Sequence, residues 1–261
     1  MKYKLTLFYA TTMLASPLIH GEQLIISKDQ ARNIGYKIWQ NECGGKEDNL
    51  TFWHQAEEFP SLGIGHFIWC PQGTSCPFSE GFPLVLSFMQ NKGISLPSWL
   101  TPQTPCPWKT RDAFMRDFNS KRMKELRVFL KNTFEAQAAF IVQRMIDAVP
   151  IMIESLPRAK RAHIKQQFYR VAQAPNGIYA LVDYVNFKGI GIKLKEQYHG
   201  HGWGLLQILQ KMNGINTKTA LQDFVTNAKD VLQERVVHAP PTRNEQQFIP
   251  GWFKRLDTYL T

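Results

Sequence analysis

Ser61-Leu62-Gly63-Ile64-Gly65-His66-Phe67-Ile68-Trp69 decides how the rest of the chain is read. Its apolar residues alternate with glycine, which predicts a short strand or hairpin. Nineteen residues upstream stands Glu42. Ser27-Lys28-Asp29-Gln30 has the form of a capping box, Ala31, Ile34 and Ile38 recur at helical spacing, and Gly44-Gly45 supplies a stop. Glu42 follows Ile38 by one further turn, so it falls on the stripe that should turn inward. The pattern is an acid at the end of a helix, a polar irregular stretch over 46–60, and then a hairpin.

Downstream, residues 70–108 are rich in Pro, Gly and Trp, with one helix expected near 82–91. From about 110 the pattern is helical almost throughout and accommodates seven or eight helices. Thr110, Ser120 and Thr133 are expected N-caps, Pro175 suits a first helical turn, and Gly189 and Gly214 are expected stops. The expected fold is mainly α: a single domain over 22–261, with a small strand-bearing lobe at about 45–108, a helical lobe at about 110–261 and a cleft between them.

The composition fits a packed globular chain. Of 261 residues 44% are apolar and 20% charged, which excludes disordered and collagen-like classes. Thirty-one Lys and Arg stand against 21 Asp and Glu, a formal charge of +10 that favours an anionic partner. Met1-Lys2-Tyr3-Lys4, the mainly apolar run Leu5 to Ile19 and the break at His20-Gly21-Glu22 read as a secretory signal peptide over 1–21. The alternative is a membrane anchor, for which the run is short; no later stretch is apolar for as long. Cleavage would remove Lys2 and Lys4 and leave 29 basic residues against 21 acidic, a balance of +8. A secreted or periplasmic basic protein meets cell walls, lipid headgroups or acidic glycans before it meets nucleic acid. Four cysteines in an exported chain favour two disulfides. Cys70 and Cys76 bracket a turn-rich segment that could close on itself, which would leave Cys43 with Cys106. No CxxC or HxxxH spacing is present, so neither a metal nor another cofactor is expected.

Helix-borne Glu42, an irregular loop, the hydroxyl of Ser61 and then Gly63-Ile64-Gly65-His66 resemble, in order, the phage-type lysozymes. The resemblance continues in Ala180 to Gly189, similar to that family's central helix, and in Leu205 to Gly214, similar to its leucine-rich helix. Arg243-Asn244-Glu245 with Gly251-Trp252 resembles the family's C-terminal Arg/Glu-bearing helix; the middle, 70–175, does not match. The resemblance implies a lysozyme-like α+β fold and an inverting glycoside hydrolase acting on peptidoglycan. It places Glu42 as general acid and Ser61 at the position of a water-holding Thr. The family's spacing from Glu to Thr is shorter, and Gln55 stands six residues before Ser61. The second carboxylate is therefore Glu58 or Glu57, with Asp48 behind them and Glu58 favoured. A Glu-to-Glu arrangement with this gap also looks like chitosanases, which leaves chitosan or chitin as an alternative substrate.

Two carboxylates suit glycoside cleavage because one must donate a proton to the leaving oxygen while the other activates water. A gap of about 6.5–9.5 Å leaves room for that water. Burial and the C-terminal end of the helix dipole both favour a protonated Glu42. The candidate substrate-contacting residues are Gly63, Gly65 and His66 of the hairpin, with Tyr198, Trp203 and Gln207. Tyr198 to Gly204 is dense in Gly, His and aromatic residues, as either a sugar-stacking loop or a helix start packing Trp203 into the core would be, and Gly204-Leu205-Leu206-Gln207-Ile208 is similar to a groove segment of lytic transglycosylases. His66 is expected as a hydrogen-bond partner within its hairpin. The basic runs near Arg158 to Lys165 and Lys121 to Lys131 lack the aromatic interleaving of a nucleic-acid surface and read as solvated helix faces. The expected partner is an amino-sugar polysaccharide, with no nucleic acid and no lasting membrane insertion, bound by a monomer. The reading from another class is a non-catalytic glycan-binding or secreted interaction protein on a decayed lysozyme fold, motivated by the missing Asp and the altered spacing.

Overall fold

Helix α1 (Lys28–Cys43) begins on the capping box: Gln30 N–H donates to Ser27 Oγ at 3.2 Å and Ser27 N–H to Gln30 Oε1 at 2.9 Å. It ends where Gly44 takes φ +58 and its N–H reaches Gln40 O, a left-handed closure that glycine adopts without steric cost. The structure, a computed structural model, describes residues 26–261 except 75, 77 and 78. The expected signal peptide lies outside the described residues.

A short turn at Glu47–Leu50 leads into three two-residue strands, β1 (Thr51–Phe52), β2 (Ser61–Leu62) and β3 (Phe67–Ile68). They form an antiparallel sheet in that order, with Ser61 opposite Phe52 on one side and Ile68 on the other. Helix α2 (Phe82–Asn91) follows where the sequence places it. The helical region comprises α3 (Arg111–Asp117), α4 (Lys121–Asn132), α5 (Phe134–Glu154), α6 (Arg158–Ala172), α7 (Gly177–Lys188), α8 (Leu205–Lys211), α9 (Ala220–His238) and α10 (Ile249–Asp257). The fold is mainly α with a small antiparallel sheet.

Thr110 and Ser120 cap α3 and α4 by accepting from Ala113 and Met123 N–H. Thr133 does not cap α5; its hydroxyl donates back to Phe129 O at 2.8 Å, because the chain bends there with almost no break between α4 and α5. Pro175 sits in the turn before α7 and not within it, with Asn176 at φ +60 making the entry. Gly189 closes α7, whereas α8 closes at Met212, short of Gly214. A second hairpin, β4 (Gln197–Tyr198) with β5 (His201–Gly202), occupies what reads in sequence as a loop.

A single apolar cluster runs from Ile34 and Ile38 through Trp69, Phe82 and Ile141 to Leu256 and Tyr259, so the sheet region and the helices share one core. Gly35 lets α1 lie directly on Ala138 of α5. Helix α5 is, by length and composition, long and apolar enough to cross a bilayer. Half of its apolar window is buried, with Phe140, Ile141, Met145 and Met152 in the core, which makes it the central packing helix.

The cysteines divide differently from the expected two disulfides. Cys70 and Cys76 are bonded, but Cys43 and Cys106 are free and buried. Cys43 turns beneath the hairpin toward Gly63 O, and Cys106 Sγ donates to Trp108 O at 3.4 Å. Burial pushes both thiols up, Cys106 to about 12, so neither is a ready nucleophile.

Candidate active site

Glu42 sits in the last turn of α1 with its side chain 17% exposed. Its Oε1 receives Arg255 Nη2 of α10 at 2.8 Å and faces Asn186 Nδ2 of α7 at 3.4 Å. Its Oε2 lies 3.6 Å from His66 Nδ1. Asn186 also reaches Gly65 O at 3.4 Å, tying α7 to the hairpin. One carboxylate thus joins the ends of two helices and a turn far apart in sequence.

Arg255 is held from behind. Its Nε and Nη2 donate to the two oxygens of Asp183 at 2.8 Å each, and Tyr259 Oη donates to Asp183 at 2.5 Å. Asp183 and Asn186 lie three apart on one face of α7, and Tyr259 stands in the turn after α10, four residues beyond Arg255. Burial works against the Arg255 charge, but Asp183 and then Glu42 outweigh it and hold the guanidinium well above its usual range. Burial followed by the Asp183 charge pushes the Tyr259 hydroxyl up, which keeps it a donor.

Beside this cluster opens a cleft of about 900 Å³, lined among others by His54, Glu57, Glu58, Arg243, Glu245 and Trp252. Glu42 does not line it, yet its charge acts on Glu57, which does. Packed surroundings push the Glu57 carboxyl up, His54 pulls it down, and Glu42 pushes it up. Phe248 and Trp252 stack at the cleft with centroids 5.9 Å apart, an aromatic platform of the kind that sugar faces use. Behind Trp252, Lys188 Nζ rests 3.5 Å from the indole centroid. Burial and the charges of Arg235 and Arg255 push that ammonium well below the usual lysine range, against Glu245 and Glu42.

The remaining predicted residues fall in different places. Asp48 is exposed, and its charge acts on Arg127. Ser61 is buried within β2. Gly63 and Gly65 allow close packing, Gly63 against Gln137 and Gly65 against Phe67 and Ile141. Tyr198 donates to Glu245 at 2.8 Å, and Glu245 takes two bonds from Arg235 at 2.6 and 2.7 Å. Trp203 is buried with Arg235 stacked 4.1 Å above it. Gln207 turns to backbone, donating to Gly191 O and accepting from Gly204 N–H. Tyr198, Trp203 and Gln207 therefore brace the cleft wall. A second cavity, of about 680 Å³, lies along another face of α1 beside Tyr36, Trp39 and Phe134. Its acids, Glu47 and Glu135, are exposed and already paired with Lys131 and Arg32.

Sequence reasoning missed Arg255 as a partner of Glu42, and with it Asp183, Asn186 and Tyr259 as its supports. The available signal was Asp183 inside the apolar run Ala180 to Val185, an acid that must be paired if buried. Among the described residues no group of three or more His, Cys, Asp or Glu has metal-binding geometry. Comparison of the chain with protein-family models, with curated proteins and with solved structures finds no match to any of them.

Proposed function

We propose that the chain is an exported, lysozyme-like glycoside hydrolase that cuts peptidoglycan glycan strands by two-carboxylate acid–base catalysis. The observation that carries this reading is Glu42 at the end of α1, gripped on one oxygen by Arg255 and Asn186, with its charge reaching Glu57 in the cleft. Glu42 donates a proton to the leaving glycosidic oxygen. Glu57 takes a proton from the attacking water, and a carboxylate pushed up from its usual range is the stronger acceptor. This replaces Glu58, favoured from sequence, with Glu57 as the second carboxylate. Phe248 and Trp252 offer stacking faces to the sugar rings.

The charge of the chain supports an anionic over a cationic polymer. Without the expected signal peptide the chain still carries +8, a net field that draws in anionic cell-wall polymer and repels polycationic chitosan. The Cys70–Cys76 disulfide suits an oxidising compartment.

Release of reducing ends from purified sacculi and from chitosan tests the proposal, with wild type compared to Glu42→Gln of matched thermal stability. The expected result is turnover of sacculi, lost by about 100-fold or more in the variant. Equal rates for both proteins, or binding to sacculi with no cleavage by wild type, would overturn it.

A further inference from the structure

His66 occupies a costly conformation. It is a non-glycine residue at φ +46 in the hairpin turn, a region that L side chains adopt only where the surroundings compel it. Two contacts fix its ring. It stacks on Phe52 of β1, centroids 5.7 Å apart and planes 7° from parallel, and its Nε2 lies 3.2 Å from the carbonyl oxygen of Asn49. A backbone carbonyl only accepts, so Nε2 carries the hydrogen. In the neutral ring Nδ1 is then a bare acceptor, and it faces Glu42 Oε2 at 3.6 Å. That is within ion-pair range but longer than a hydrogen bond, so proton transfer needs the two to close by a few tenths of an ångström. Two acceptors so placed attract each other only when a proton lies on one of them. Oε1 of Glu42 is already occupied by Arg255 and Asn186, which leaves Oε2 as the oxygen able to carry the proton.

We propose that His66 is the residue that keeps the acid loaded, so that the proton donor is a Glu42–His66 pair holding one mobile proton between Oε2 and Nδ1. This deepens the hydrolase reading and rests on it. In the step, the proton on Oε2 passes to the glycosidic oxygen as the C–O bond breaks and its electron pair stays with that oxygen. That leaves the Glu42 carboxylate beside a neutral ring; the ring, 18% exposed, takes one proton from solvent on Nδ1 and passes it to Oε2, which reloads the pair. His66 acts through Glu42 and is a positioning residue. The charged groups facing the pair are Arg255 from α10, backed by Asp183 of α7, Lys188 from the end of α7, and Glu57 with His54 from the loop before β2.

The test is the pH profile of kcat/KM on sacculi for wild type, His66→Gln and His66→Asn, the last chosen because asparagine tolerates a positive φ. Neither amide can hold the mobile proton. Both variants should lose activity at the alkaline side first: the alkaline limb moves toward acid by about one pH unit or more, a loss of about tenfold at pH 7 for each unit. A loss of equal factor at every pH, in folded variants, would overturn the proposal. A second readout needs no turnover: nitrogen-15 NMR of the imidazole in wild type and Glu42→Gln. The wild-type ring should be Nε2–H when neutral, and its titration should move to lower pH when the Glu42 charge is removed. An unchanged titration would overturn the pairing even if the enzyme is active. A wild-type protein inert on every glycan, with the NMR coupling present, would instead refute the hydrolase reading alone.

Discussion

Replacing Asp183 with asparagine keeps the shape of the side chain and removes its charge, which isolates the clamp behind Glu42. Asp183 is fully buried and accepts two bonds from Arg255 at 2.8 Å and one from Tyr259 at 2.5 Å. Asparagine offers one carbonyl where the carboxylate offers two oxygens, and its amide hydrogens meet the guanidinium donors. Removing one partner of a buried ion pair costs about 3–5 kcal/mol because the other charge is left behind. The Arg255 side chain is only 9% exposed and cannot turn freely to water, although its remaining bond to Glu42 offsets part of the cost, so about 3 kcal/mol is expected. For a chain of this size that lowers Tm by about 6–12 °C. The same change frees Arg255 to pull Glu42 out of place, and a displacement of about 1 Å costs up to about 100-fold in rate. Calorimetry of Asp183→Asn, Arg255→Met and the double variant gives the coupling. The double variant should be less destabilised than the sum of the singles, since it removes both charges of the Asp183–Arg255 pair together. Additive losses, or a Tm for Asp183→Asn within about 2 °C of wild type, would refute this account of the clamp.

Glu57→Gln should reduce cleavage of sacculi by about 100-fold or more and Glu58→Gln by much less, because the Glu42 charge acts on Glu57; the reverse order, read in the reducing-end assay, would restore Glu58 as second carboxylate. Burial works against an ionised Glu245, but the hydrogen bonds and charge of Arg235, then Tyr198 and Lys188, outweigh it and hold the carboxyl below its usual range. A depressed folded value means the stabilisation is complete above the unfolded value near ~4.3 and is lost as pH falls through the folded one. Tm measured from pH 6 to 3 should therefore fall less steeply in Glu245→Gln, from a lower start, and parallel curves would contradict the reading. Alkylation of unreduced protein should label two cysteines in denaturant and essentially none in the native state, with four after reduction; any other count in the denatured sample contradicts the single Cys70–Cys76 bond.

Much of the local structure was legible because its causes are local. The capping box at Ser27, the turn at Gly44 and helix α2 depend on residues within a few positions, and they occur where the pattern places them. Glu42 could be singled out because a charged residue on an apolar stripe is anomalous at helical spacing. The caps that failed also failed for a nearby reason: Thr133 bonds backward because α4 runs almost directly into α5. The second hairpin, β4 with β5, stayed hidden because strands of two residues are too short to carry a periodic signal.

Long-range pairing is another matter. Cys43 and Cys106 were an acceptable pair by elimination, yet each thiol points to a different backbone carbonyl. Tyr198, Trp203 and Gln207 have the composition of a sugar-binding loop, and the fold spends them on bracing Glu245, Arg235 and backbone. The sequence by itself determined the mainly helical class, the helix that carries Glu42, the hairpin that follows and the basic charge, since each follows from near neighbours or from counting. The tertiary structure alone decided which groups meet Glu42. Arg255 arrives from more than two hundred residues away and Asn186 from 144, and no local periodicity encodes a contact across such a distance. Those meetings are set by how α1, α7 and α10 pack around one core, and the chemistry available to Glu42 is set by them.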